Sequence, residues 1–257
     1  FLIKLVLILA GGMFLDGYIL GIIGPVAQTM TAELGISALW EGMIAAAALL
    51  GILVSAPLGG WLSDRYGRRL LFTLDMGLFC VASAMQFFVN SPEQLAFVRF
   101  LMGVAIGGEY AIGWPLMSEF SPARLRGRLL GVTLAAFCLG FMVAFIVGHV
   151  MATDMELGWR TILGTSTIIA LALFLARIGL PESPRWLWSV GRKREARTIA
   201  DKYMERGSLD DIEHEPVRKG NFAMLFSRDY WRATLFPSMF WFCAVTPYFA
   251  IGTFAES

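Results

Sequence analysis

Apolar residues along this chain gather into blocks about twenty residues long, separated by short polar stretches. A helix rising about 1.5 Å per residue needs that length to cross a hydrocarbon core of about 30 Å. Crossings are expected at Leu2–Pro25, Trp40–Leu62, Leu70–Val89, Gln94–Leu116, Leu129–Met151 and Arg160–Leu180, and a seventh opens near Ala233 and is unfinished at Ser257. Phe1 to Ala10 show no small-residue cleavage site, so they read as the truncated start of a crossing rather than a signal peptide.

The polar stretches differ in charge. Those at Gln28–Leu39, Asn90–Gln94 and Ala152–Gly158 contain no Lys or Arg. The alternate ones carry Arg65, Arg68 and Arg69, then Arg124, Arg126 and Arg128, then a dense run from Arg185 to Arg232. Short cytoplasmic loops collect cations, so the arginine-bearing loops, the N-terminus and the central linker are placed in the cytoplasm of a multi-pass cell-membrane protein. Within Pro181–Tyr230, Arg192–Arg206 has helical spacing, with Ala196, Ile199, Ala200 and Tyr203 near one face. It is either an amphipathic helix on the membrane surface or a solvated linker helix. Gly207 to Gly220 reads as loop. The division is a six-helix bundle over residues 1–180, a linker over 181–232 and the start of helix seven over 233–257.

Composition agrees with the pattern. Apolar residues make up 57% of the chain and charged residues 16%, against roughly 45–50% and about 25% in soluble domains. Cys80, Cys138 and Cys243 each lie in an apolar block without a partner at metal-ligand spacing, and His149 and His214 are far apart. No metal or cofactor is expected. Nor is there a Ser-His-Asp set or a phosphate-binding glycine loop, so an enzyme is not expected. Topology accounts for the basic residues, which leaves no footprint for nucleic acid. Glycines at Gly17, Gly21 and Gly24, and at Gly103, Gly107 and Gly108, fit close helix packing better than a ligand role.

Three strings carry a family resemblance. Gly59-Gly-Trp-Leu-Ser-Asp64-Arg65-Tyr-Gly67-Arg68-Arg69 resembles the signature loop of the major facilitator superfamily. Arg99-Phe-Leu-Met-Gly103, continuing to Glu119-Phe-Ser-Pro122-Ala-Arg124-Leu-Arg126-Gly127-Arg128, is similar to helix four and its exit in the sugar-porter branch. Pro181-Glu182-Ser183-Pro184-Arg185 is similar to the string after helix six there. The resemblance spans nearly the whole chain. It implies an all-α integral membrane fold: the six-helix N-terminal bundle of a twelve-helix carrier, with cytoplasmic linker helices. It further implies a small-molecule substrate, the lipid bilayer as surroundings, a second six-helix bundle of the same polypeptide as partner, and a midplane site reached by alternating access. Helix seven departs from sugar porters: Phe240-Trp241-Phe242-Cys243-Ala244-Val245-Thr246-Pro247-Tyr248 replaces a paired-glutamine string. Helix five lacks their glutamine. A non-sugar metabolite is therefore favoured over a sugar-like solute. Gly107-Gly108-Glu109-Tyr110 and Asp16-Gly17-Tyr18 resemble strings of relatives that carry organic or aromatic acids with protons, which implies an organic acid or aromatic compound as solute.

Ionisable side chains deep in a bilayer cost on the order of 2.5–3.5 kcal/mol each and invite a functional reading. Asp16 is expected to take and release the coupling proton, with Arg99 as its charge partner; the alternative is a buried structural ion pair. Glu109 has three open readings: a cationic-solute site, a second proton site, or a bond to neighbouring helices. Asp75, near a helix end, is expected to snorkel or to meet a rim arginine. Asp64, Arg65, Arg68, Arg69, Glu119, Arg126, Glu182 and Arg185 form the cytoplasmic rim, where the resemblance implies ion pairs latching the two bundles. Tyr110, Trp114, Trp241 and Tyr248 either line a pocket for a ring-bearing solute or lie at lipid-facing positions. The expected function is proton-coupled transport of a small metabolite. The alternatives are a passive facilitator of the same fold and a transporter-like sensor without turnover.

Overall fold

The computed structural model describes residues 1–204 and 222–254, without the side chains of Ala38, Phe222, Ala223 and 245–254. Six spans among the described residues are long and apolar enough to cross a membrane. They are built from helices α1 (Leu2–Gly21), α2 (Ala27–Leu34), α3 (Ala38–Tyr66), α4 (Arg68–Met85), α5 (Pro92–Phe120), α6 (Ala123–Thr153), α7 (Trp159–Gly164) and α8 (Ser166–Arg177). Two shorter helices follow, α9 (Pro184–Ser189) and α10 (Lys193–Tyr203), and then α11 (Trp231–Phe254). The chain divides into two compact units, Phe1–Ile212 and Glu213–Ser257. The predicted loop at Gly207–Gly220 and His214 lie outside the described residues.

Helix ends differ from the sequence expectation in three places. The stretch after Pro25, expected to be loop, is helical over Ala27–Leu34. Gly35 stops it at φ +60, a left-handed conformation that suits glycine. The sixth crossing is not continuous. Its two parts meet at Thr165, whose hydroxyl donates to the Ile162 carbonyl at 2.6 Å and pairs with the Tyr18 hydroxyl at 2.7 Å, a side-chain bond that competes with the helix ladder. Third, α9 has no counterpart in the hydrophobic pattern: Ser183 caps it by accepting from Trp186 N at 3.1 Å, and Pro184 supplies the first helical residue.

Glycines let the principal helix pairs touch backbone to backbone. A side chain on Gly103 of α5 would run into the Ala48 carbonyl of α3, and one on Gly17 of α1 would run into the Phe137 carbonyl of α6. The packing expectation for these glycines is borne out. The amphipathic helix also forms. Its face, with Ala196 and Ala200 buried, packs through Ile199 and Tyr203 on an apolar cluster of Leu5, Leu9, Leu116 and Phe120. That contact is with the bundle's own end.

Candidate functional site

Four ionisable side chains on four helices meet inside the first unit. Arg177, the last residue of α8, is fully buried. Its Nη2 donates to Glu109 Oε2 at 2.6 Å, its Nη1 donates to the Phe72 carbonyl at 2.7 Å, and Asp75 Oδ2 lies 3.9 Å from Nη1. The guanidinium also stacks on the Phe72 ring, 3.6 Å from its centroid. Asp75 and Glu109 thus face the same buried guanidinium. Asp16 on α1 is fully buried, and neither of its carboxylate oxygens has a hydrogen-bond partner.

The helices bring these groups together through periodicity and two glycines. On α4, Phe72, Met76 and Phe79 form the buried face, and Asp75 shares it. Glu109 reaches α1 where Gly12 leaves room: a Cβ on Gly12 would run into Glu109 Oε1 and lie 2.8 Å from Arg177 Nη2. Gly108 does the same for Asp75, since a Cβ there would lie 2.7 Å from Asp75 Oδ1. Gly108 thus makes room for a carboxyl and, like Gly103 and Gly107, also meets α3, where a Cβ on Gly59 would lie 3.3 Å from the Gly108 Cα. Asp16 is one turn beyond Gly12, where residues four apart have Cβ atoms about 5–6 Å from each other.

Two expectations about these charges are corrected. Arg99 is buried but does not pair with Asp16: its Nη1 donates to the Ile19 carbonyl at 2.9 Å. Arg99 precedes Glu109 by ten residues on α5, about 15 Å of helix, so it sits above the level of Asp16 on the antiparallel α1. Asp75 neither snorkels nor meets the rim; it turns inward to Arg177. Of Glu109's three readings, the structure supplies the bond to a neighbouring helix. Arg177 escapes sequence reasoning because an arginine close to the end of an apolar block reads as topology. Its signal is that three more apolar-block residues, Ile178 to Leu180, follow it.

At the arginine-rich end, several of the predicted rim residues are linked to one another. Gly67 joins α3 to α4 at φ +98, and a Cβ there would lie 2.5 Å from Glu182 Oε2. Through that gap Glu182 Oε1 accepts from Arg68 N at 2.9 Å, Arg69 N at 3.0 Å and its neighbour Ser183 N at 2.9 Å. A carboxylate on the free N–H groups of a first helical turn also meets the positive end of the helix dipole. Glu119 pairs with Arg68 and accepts from Ser183 Oγ, and Arg185 on α9 is close enough to act on it electrostatically. Asp64 enters through its backbone carbonyl, which accepts from Trp186 Nε1 at 2.9 Å, while its exposed carboxylate forms no ion pair among the described residues. Arg65 lies over Trp61 and Tyr66, and Arg126 is half-buried at the start of α6.

Of the aromatic candidates, Tyr110 and Trp114 stack at 5.7 Å one turn apart on α5, both half-buried. Trp241, on α11 in the second unit, makes an edge contact with Phe240. The Tyr248 side chain lies outside the described residues. A recess of about 320 Å³ lies beside Phe120, Lys202 and Tyr203, and none of the buried charges lines it.

Comparison with known proteins accords with this architecture. The family model described as sugar (and other) transporter matches residues 5–255. The chain is 39% identical over 243 residues to the inner membrane metabolite transport protein YgcS of Escherichia coli, covering 95% of this chain and 55% of that protein. It is 30% identical over 207 residues to the human proton myo-inositol cotransporter, covering 80% of this chain and 32% of that one. It superimposes on the major facilitator superfamily proton:xylose symporter XylE with a TM-score of 0.73 at 22% identity, covering 83% of this chain and 52% of the symporter. The chain thus spans about half the length of YgcS and XylE.

Proposed function

Because the chain belongs to the sugar (and other) transporter family and shares the fold of a major facilitator superfamily symporter, we propose that it forms the first bundle of a secondary carrier that couples a small metabolite to protons. The solute would cross by alternating access between this bundle and a second one. The arginine-rich end would face the cytoplasm, by the distribution of cations. The observation that carries the reading is Asp16, fully buried with both oxygens unpartnered. A carboxylate shut away from water without hydrogen bonds is costly as an anion and far less so as a neutral acid. In a chain built to expose its core alternately to either side, such a group loads a proton and releases it when the surroundings change. Protons named for the myo-inositol cotransporter and for XylE are consistent with this chemistry in relatives.

The substrate we favour is an organic or aromatic acid rather than a hexose. A hexose needs several side chains that hydrogen-bond its hydroxyls, and the string Phe240 to Val245 supplies no amide. Asp16, Arg99 and Glu109 are turned into the bundle, each 2% exposed or less. They suit coupling better than direct contact with solute. A passive facilitator of the same fold is the competing reading, and it differs in having no proton requirement.

The test is solute-induced proton movement in liposomes holding the complete carrier, screened over organic acids, aromatic acids, sugars and organic cations. Proton uptake with one acid class is the expected result. Exchange of labelled solute with no proton movement would make the protein a facilitator.

A further inference from the structure

We propose that Asp75 and Glu109, oriented by Arg177, form a second proton-holding site that takes the coupling proton from Asp16 and carries it toward the arginine-rich end; this rests on the proton-coupled reading above. None of the three roles follows from topology, because all three side chains are directed into the bundle.

Geometry supplies the steps. Two buried carboxyls that face one guanidinium hold one proton between them, because two carboxylates against a single cation would leave a net negative charge shut away from water. With one shared proton the pair carries a single negative charge, which the guanidinium of Arg177 balances. The buried set is then neutral. Glu109 Oε1 remains without a hydrogen-bond partner and lies against Gly12, one turn from the equally open oxygens of Asp16. These are the unsatisfied acceptors a proton would move between.

In the transfer, the O–H bond of a protonated Asp16 breaks and a new one forms at Glu109 Oε1. Asp16 is left as the carboxylate, and the Asp75–Glu109 pair goes from one proton to two. Release from Asp75 returns the pair to one. Asp75 lies seven residues from the start of α4, so this step moves the proton to about 10 Å from the arginine-rich end. The charged and titratable groups acting on the pair are Asp16 on α1, Arg177 on α8 and Tyr110 on α5, while Cys80 on α4 lies toward Arg177. Gly12 and Gly108 keep the path clear of side-chain carbon.

The test uses the complete carrier in liposomes, comparing wild type, Asp16→Asn, Asp75→Asn and Glu109→Gln. Two readouts are taken: exchange counterflow, and accumulation driven by a pH gradient. A gradient of about one unit drives about ten-fold accumulation when one proton accompanies each solute. Asp75→Asn is expected to retain counterflow and lose the ten-fold accumulation. Glu109→Gln, whose amide oxygen can still accept from Arg177, is expected to behave likewise and decides between the outcomes if Asp75→Asn does not insert. Wild-type accumulation in either variant, or loss of counterflow in both, overturns the proposal, the latter by assigning the pair a structural role. A wild type without proton-driven accumulation defeats the proton-coupled reading itself. Loss in Asp16→Asn alone defeats only the second site.

Discussion

Replacing Arg177 with Met tests whether the buried cation holds the four helices together. The substitution keeps an apolar chain of similar reach, so packing on the Phe72 ring is largely retained and the loss is mainly of charge. Three interactions go: the 2.6 Å bond to Glu109, the 2.7 Å bond to the Phe72 carbonyl and the 3.9 Å approach to Asp75. Removing one partner of a buried ion pair costs about 3–5 kcal/mol, mostly because the other partner is left charged and unpaired. Restoring neutrality should therefore restore stability. In Arg177→Met combined with Glu109→Gln, the stranded charge is gone, and about 1–3 kcal/mol of coupling should be recovered. The assay is urea-dependent unfolding of the detergent-solubilised carrier, followed by tryptophan fluorescence, for the wild type, both single variants and the double variant. A cost below about 0.5 kcal/mol for Arg177→Met, the range of ordinary surface changes, would refute the argument. So would a double variant no more stable than the sum of the singles.

Three further outcomes follow from packing and the rim. Gly67→Ala places a Cβ 2.5 Å from Glu182 Oε2 at a φ of +98 and should cost about 1–3 kcal/mol in the same unfolding assay; an unchanged midpoint would show that the turn relaxes freely. Glu182→Ala removes the acceptor of three backbone N–H groups and should cost about 2–3 kcal/mol, whereas Glu182→Gln, which keeps an acceptor, should cost less than about 1 kcal/mol. Neutralising Glu119 releases Arg68 and Ser183 and should shift the complete carrier toward inward-facing forms, read as reduced labelling of cysteine probes on the outward side.

Much of the architecture is legible in the sequence because bilayer thickness sets helix length. The apolar blocks place each crossing, and the observed helices extend past the predicted ends mostly by polar turns, as Pro92 and Glu93 do on α5 and Ser63 to Tyr66 do on α3. The break at Thr165 is not legible, since an apolar run gives no sign of a hydroxyl turning back on its own helix. The rim is legible as a set of residues, but its bonding is not: Asp64 contributes a carbonyl where a carboxylate is expected. The buried cluster is half visible. Asp16 and Glu109 stand out as acids in apolar blocks, while Arg99 stands in for their cation because no sequence pattern states how far apart two residues on different helices lie along the bilayer normal. Asp75 misleads for the same reason: its distance from the helix end suggests the rim, and its place on the Phe72–Met76–Phe79 face, together with a partner on α8, turns it inward.

The most direct test of proton coupling is the Asp16→Asn carrier in liposomes, with counterflow and pH-driven accumulation measured on the same preparation. Counterflow near the wild-type rate, with accumulation reduced from about ten-fold to none under a gradient of about one unit, is the predicted result. Accumulation by Asp16→Asn equal to that of the wild type would remove Asp16 from the coupling pathway and leave it a buried structural acid.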